Sequence, residues 1–180
     1  MRDSVYYIRT DTEHGRTKER LRRAAADRLG ISPSDPALEV LREREGKPYF
    51  PHAPIHASVS HSGGVWLAVL SCAPVGADLQ KYQRCDAVRI ARRFFHPLEA
   101  DYLSARTEDF FSVWCAKESY VKYTGGGLAQ GLDSFSAVAE GRLAREINGV
   151  PIRTLEYGGN WWLCICGGEP GEPEIIELKE

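Results

Sequence analysis

The chain has 180 residues, 43% of them hydrophobic and 27% charged, enough apolar content to close a core without a disulfide or metal staple. A formal net charge of −2 and an isoelectric point near 6.2 exclude a broadly basic, non-specific binder of nucleic acid or anionic lipid. No apolar run reaches the length of a membrane span, and the opening stretch MRDSVYYIRTDTEHGR carries neither an apolar signal core nor a cleavage pattern. A cytoplasmic protein with a protein or small-anion partner is expected.

Val5 to Ile8 reads as a short strand and Thr17 to Leu29 as a helix closed by Gly30, ahead of the breaker ISPSDP. Arg16, Lys18, Arg20, Arg22 and Arg23 gather positive charge on this helix, either to hold an anion or as a solvated face. Leu38 to Leu41 suggests a strand, and EREGKPYFP a polar turn that leads into extended chain. His56 to Ser60, Val65 to Ser71 and Val75 to Gln80, separated by HSGG and CAP, have the pattern of three consecutive antiparallel strands. Beyond Lys81 the character turns helical: Asp86 to Phe95, a second helix opening at Pro97, and Glu108 to Tyr123, ended by Gly125, Gly126 and Gly127. Short strands follow at Ser134 to Val138, Arg142 to Ile147, Ile152 to Tyr157, Trp161 to Cys166 and Ile175 to Leu178. Helical sections beside antiparallel strands in each half predict an α+β architecture and exclude a doubly wound parallel sheet.

The cysteines Cys72, Cys85, Cys115, Cys164 and Cys166 are odd in number and lack the paired C-x-x-C spacing of a zinc site, so buried free thiols are expected. Alternation along VGADLQ puts Asp78 and Gln80 on one face and Ala77 and Leu79 on the other. In EDFFSVWCAKESYVKYTGGG, Phe111, Trp114, Glu118 and Val121 share a helical stripe, so a carboxylate stands beside large apolar residues. Glu118 suits either a surface pair with Lys122 or, together with Asp78, a two-carboxylate oxygen site for Mg²⁺. Lys117 and Lys122 flank Glu118, either to bring positive charge near a phosphate or to cover the helix surface with their aliphatic stems, Lys122 being the better placed for a phosphate. HASVSHSGG sets Ser60, His61 and Ser62 at a strand end before two glycines, a phosphate-binding environment or an ordinary hairpin turn. Gly46-Lys47-Pro48 is equally open.

In order, GKP at 46–48, SVSHSGG at 58–64, VGADLQ at 75–80, RRFFHPLE at 92–99, FFSVWCAKESYVKYTGGGL and LDSFS resemble the signature of phosphopantetheinyl transferases of the Sfp type. Most of the weight falls on W-x-x-K-E-S-x-x-x-K, from Trp114 to Lys122 with one residue fewer than that spacing, and on G-x-D at 76–78. The resemblance implies two similar α+β halves in pseudo-twofold arrangement, residues 1–81 and 82–180, with coenzyme A in the cleft between them. It further implies a monomer, unlike the shorter holo-acyl-carrier-protein synthases that assemble trimers from single halves. The implied activity is Mg²⁺-dependent transfer of the 4′-phosphopantetheine arm of coenzyme A to a serine of an apo acyl or peptidyl carrier protein.

By matching motif, Asp78, Gln80 and Glu118 correspond to metal-site positions, and Glu118 and Lys122 to the catalytic pair, with Lys122 on the diphosphate. Ser60 and His61 correspond to the 3′-phosphate region, Lys47 and Pro48 to the adenine side, and Arg16 to an N-terminal phosphate-binding arginine. Gln80 stands where the family usually has a carboxylate, and Gly126 where a lysine is common. These departures motivate a competing reading, a coenzyme A or nucleotide binding module with impaired catalysis.

Overall fold

The computed structural model describes residues 5–10, 15–169, 171 and 173–178. In chain order the strands are β1 (Val5–Thr10), β2 (Leu41–Arg42), β3 (Pro48–Tyr49), β4 (His56–Ser62), β5 (Val65–Ser71), β6 (Val75–Lys81), β7 (Val138–Ala139), β8 (Arg142–Leu143), β9 (Glu146–Ile147), β10 (Val150–Tyr157), β11 (Trp161–Gly167) and β12 (Glu174–Glu177). The helices are α1 (Thr17–Leu29), α2 (Ala87–Phe94), α3 (Pro97–Ala105) and α4 (Phe110–Thr124). The architecture is α+β, and no helix among the described residues is long and apolar enough to cross a membrane.

One sheet runs β12-β1-β5-β4-β3-β2 and a second runs β6-β11-β10-β9, while β7 and β8 form a separate hairpin. Alternation along the strands sorts side chains into layers. Val65, Leu67 and Val69 of β5 meet Val75, Ala77 and Leu79 of β6 and Leu163 and Ile165 of β11 in a core between the sheets. The opposite face of β5, with Trp66, Ala68 and Leu70, packs on Leu21, Ala24 and Ala25 of α1. The opposite face of β11, with Cys164 and Cys166, packs on Cys115, Ala116 and Tyr120 of α4. Each sheet thus carries its own helix on its outer face.

The three β-rich runs do not pair consecutively. β4 and β5 form a full antiparallel ladder, but β6 pairs with β11 of the other sheet. Sheet membership therefore changes at residues 72–74, one strand ahead of the division expected at Lys81, and β12 returns the chain to the first sheet, parallel to β1. The free edge of β6 lies along β4 and is satisfied by side chains instead of a backbone ladder. The Ala77 N–H donates to Ser58 Oγ at 2.8 Å, the Lys81 N–H donates to Ser62 Oγ at 2.9 Å, and Ser60 Oγ donates to Asp78 Oδ1 at 2.7 Å. Ser58 and Ser62 on one strand face thereby pair backbone donors of β6, and Ser60 between them pairs a buried carboxylate.

Elsewhere, Leu38 closes a short 3₁₀ turn, Pro36–Leu38, instead of opening a strand. Residues expected as a strand at 134–138 begin in a 3₁₀ turn, Leu132–Ser134. Cys115, Cys164 and Cys166 are buried as expected, whereas Cys72 and Cys85 are exposed.

Candidate active site

The Asp78 face of β6 and helix α4 meet at Gly76. A Cβ on Gly76 would lie 2.1 Å from the Ser119 carbonyl oxygen and 2.2 Å from the Tyr123 nitrogen, so only glycine lets the helix backbone rest on the strand there. This close approach brings the outward residues of β6, Asp78 and Gln80, under the Glu118 and Lys122 positions of α4. The helix ends where Gly125 takes the left-handed conformation, at φ 72°.

Two adjoining cavities lie at this junction. One, of about 330 Å³, is lined by Asp78, Gln80, Trp114, Glu118 and Lys122 together with Val59, Ser60 and His61. The other, of about 290 Å³, is lined by Gly46, Lys47 and Pro48, by Thr17, Arg42 and Glu45, and by residues of β4 and the end of α4. Val59, His61 and Lys122 face both.

In the carboxylate lobe, Lys122 Nζ donates to Asp78 Oδ1 at 2.6 Å and to Ser60 Oγ at 3.0 Å. Its ion pair therefore reaches across to β6 and not one turn back to Glu118. Asp78 is buried, 7% exposed at its side chain, while the Lys122 side chain is 29% exposed and opens to the cavities. Glu118 is half-buried; desolvation, and then the neighbouring Asp78 charge, raise its pKa, against the lowering influence of Lys122. Gln80 stands beside them with its amide nitrogen 3.4 Å from the Lys81 carbonyl oxygen. A Cys115 thiol 3.2 Å from the Asp78 carbonyl oxygen anchors this stretch of β6 to α4, and burial pushes its pKa well up, keeping it a thiol.

In the other lobe, Lys47 Nζ donates to the Lys122 carbonyl oxygen at 2.8 Å and contacts that of Tyr123 at 3.4 Å. A cation thus sits on the unpaired carbonyls at the negative end of α4. Burial lowers the Lys47 pKa, with Glu43 opposing. Pro48 is buried beside it and His61 is exposed at the lobe boundary. Arg16 is exposed at the start of α1; its neighbour Thr17 lines the lobe, and Arg16 does not.

Of the residues expected at a site, Asp78, Gln80, Glu118, Lys122, Ser60, His61, Lys47 and Pro48 come together, and Arg16 stands apart. Lys117 is corrected outright: it is fully buried on a different side of α4, bonded to Glu99 and away from both lobes. The α1 charges divide, Arg20 lying against the Trp66 ring, Arg22 bonding Pro33, and Arg23 pairing with Glu19. Phe95 stacks in the core on Phe110, whereas Phe94 is exposed. Sequence reasoning did not single out Ser58 or Trp114 as site builders; the S-x-S-x-S alternation was the available signal for the first.

A strand carboxylate, a helix carboxylate and a lysine around one cavity, joined to a second cavity at a helix end, define a class of site suited to an anionic, phosphate-bearing substrate. Residues 74–166 match the model of the 4′-phosphopantetheinyl transferase superfamily, and the chain belongs to that family. It is 33% identical over 171 residues to a 4′-phosphopantetheinyl transferase of Bacillus subtilis, covering 88% of this chain and 75% of the relative. It is 32% identical over 145 residues to the 4′-phosphopantetheinyl transferase Sfp of Bacillus subtilis (strain 168), covering 74% of this chain and 64% of that protein. The 4′-phosphopantetheinyl transferase psf-1 of Bacillus pumilus is 32% identical over 157 residues, with 79% of this chain and 67% of that protein covered.

Proposed function

We propose that this protein transfers the 4′-phosphopantetheine arm of coenzyme A to a serine of an apo acyl or peptidyl carrier protein, acting as a monomer whose two α+β halves flank the cleft. The observation that carries the reading is the convergence of Asp78, Glu118 and Lys122 on one cavity that adjoins the Gly46–Pro48 lobe. In the reaction the carrier serine oxygen bonds to the β-phosphorus of coenzyme A. The bond from that phosphorus to the diphosphate bridging oxygen breaks, and adenosine 3′,5′-bisphosphate leaves. Such a step asks chiefly for positioning and for charge stabilisation.

The nucleotide lies in the lobe of Lys47, Pro48 and His61, with its 3′-phosphate region toward Ser60 and His61; Arg16, which does not line the lobe, is given no contact with the nucleotide in this arrangement. Lys122, at the lobe boundary, turns its ammonium to the diphosphate and balances charge on the phosphate oxygens. The hard oxygen donors Asp78, Glu118 and the Gln80 amide fit Mg²⁺, which takes few carboxylates and leaves room for phosphate and water. When bound there, that ion would neutralise the diphosphate and hold it in line. The serine proton passes to Glu118 or to water.

Intact-mass analysis of a panel of apo carrier proteins, incubated with this protein, coenzyme A and Mg²⁺, tests the reading. One phosphopantetheine is expected on the carrier serine, abolished by chelator. Coenzyme A binding with no mass gain on any carrier would instead favour the binding module that Gln80 and Gly126 suggest.

A further inference from the structure

Lys117 is a fully buried lysine for which the transfer chemistry has no use. Its ammonium lies 2.7 and 2.9 Å from the two Glu99 carboxylate oxygens and donates to the Phe135 carbonyl oxygen at 2.7 Å. The faces of the Phe135 and Phe95 rings lie at 4.2 and 5.4 Å from it. Glu99 is equally committed, accepting from the Ala137 N–H at 2.6 Å and from the His96 N–H at 3.0 Å, the latter fixing the start of α3. Three segments, α3, α4 and residues 135–137, therefore meet on one ion pair inside apolar clusters.

A buried ion pair is weak evidence for stability, because an apolar pair of similar volume often serves as well. What such a pair does supply is direction. Lys117 and Glu118 are adjacent, about 100° apart around the helix, while Glu118 and Lys122 share a face. Turning α4 by about 20° would carry a side-chain tip at a radius of about 6 Å through about 2 Å. A misplacement of about 1 Å can cost a reaction about a hundredfold.

We propose that the Lys117–Glu99 pair is a positioning device that sets the rotation of α4, so that Glu118 and Lys122 face Asp78. This rests on the transfer reading given above and adds two residues that touch neither substrate nor metal. The test compares wild type with the neutral, volume-matched double variant Lys117→Met/Glu99→Gln. The measurements are thermal melting, carrier transfer kinetics and calorimetric binding of Mn²⁺ to the coenzyme A complex. The expected result is a folded variant with kcat reduced at least tenfold, KM for coenzyme A changed less than threefold and Mn²⁺ affinity reduced about tenfold. A folded variant with wild-type kcat and Mn²⁺ affinity overturns the proposal. If the double variant does not fold, Glu99→Gln alone, which keeps shape and acceptor, decides by the same split: kcat lowered at unchanged melting temperature supports it, unchanged kcat overturns it. If wild type transfers nothing yet binds Mn²⁺ with coenzyme A, the transfer reading fails on its own and the Mn²⁺ comparison still judges the pair. If wild type binds neither, both fall together.

Discussion

The two lobes of the cleft are made of different material. The carboxylate lobe is walled by secondary structure on both sides, with Asp78 on a strand whose neighbours are wholly buried and Glu118 on a helix seated against that strand at Gly76. The Gly46–Pro48 lobe is walled on one side by short strands and turns, and is tied to α4 chiefly by one lysine on the helix carbonyls. Rigid elements hold groups to the tolerance that bond-making needs, while turns give a surface that shapes itself to a ligand. The contrast suggests that chemistry belongs to the first lobe and affinity to the second, with Lys122 shared.

Gly76→Ala would break the comparison at its root, since the new methyl meets backbone atoms that have no rotamer to escape into. Destabilisation of about 3 kcal/mol or more is expected, with loss of transfer and of coenzyme A binding together. A melting temperature within a few degrees of wild type would show that α4 does not need that contact. Next in size, Glu118→Ala should lower kcat by at least about a hundredfold, the loss expected when a transition-state charge contact goes, and leave the fold intact because the side chain is only half-buried. Asp78→Asn should do the same. Alanine at position 78 is a poorer probe, for it would strip Ser60 and Lys122 of their buried partner. Near wild-type transfer by a folded Glu118→Ala protein would remove that carboxylate from the chemistry.

Lys47→Ala tests the other lobe. Removing the cation from the end of α4 should cost about 1 kcal/mol of stability and weaken coenzyme A binding about three- to tenfold, with kcat at saturating coenzyme A within about twofold of wild type. The same calorimetry and saturation kinetics that serve Glu118→Ala will read it. A kcat loss as large as that of Glu118→Ala would mean that the lobes do not divide the labour.

Much of this was legible in the sequence because it is local. Thr17–Leu29 is bounded by its own glycine cap, and strand alternation places Asp78 and Gln80 on one face whatever the rest of the fold does. The pairing of β6 was not legible, because β4, β5 and β6 are near in sequence and the tight turns between them read as hairpins. The choice of β11 as partner is made by the apolar side chains shared between the two sheets, far apart in the chain. Lys117 was misplaced for a similar reason. Nothing within a helix turn announces that a lysine will meet Glu99, 18 positions earlier, inside the core. Lys47 was singled out by motif, but its bond to the α4 carbonyls depends on a contact 75 positions away.

Gln80→Glu should give the smallest effect and the finest reading of the carboxylate lobe. Residue 80 shares the Asp78 face and lines the same cavity as Glu118, so a third carboxylate adds negative charge where a divalent ion would sit. With Mg²⁺ present the added charge should attract the ion, lowering the metal concentration for half-maximal transfer about two- to fivefold, equivalent to about 0.4–1 kcal/mol, the scale of a charge pair that stays largely solvated. With chelator present the sign reverses. Burial and Asp78 already raise the Glu118 pKa against the lowering influence of Lys122, and a further neighbouring charge adds repulsion that no metal ion then offsets, so the variant should melt slightly below wild type. A Mg²⁺ titration of transfer rate beside melts in chelator measures both signs at once. A lower melting temperature with an unchanged metal requirement would place the new carboxylate near Asp78 but outside the ion's reach, leaving Asp78 and Glu118 as its only charged ligands and confining the chemistry to the strand–helix junction at Gly76.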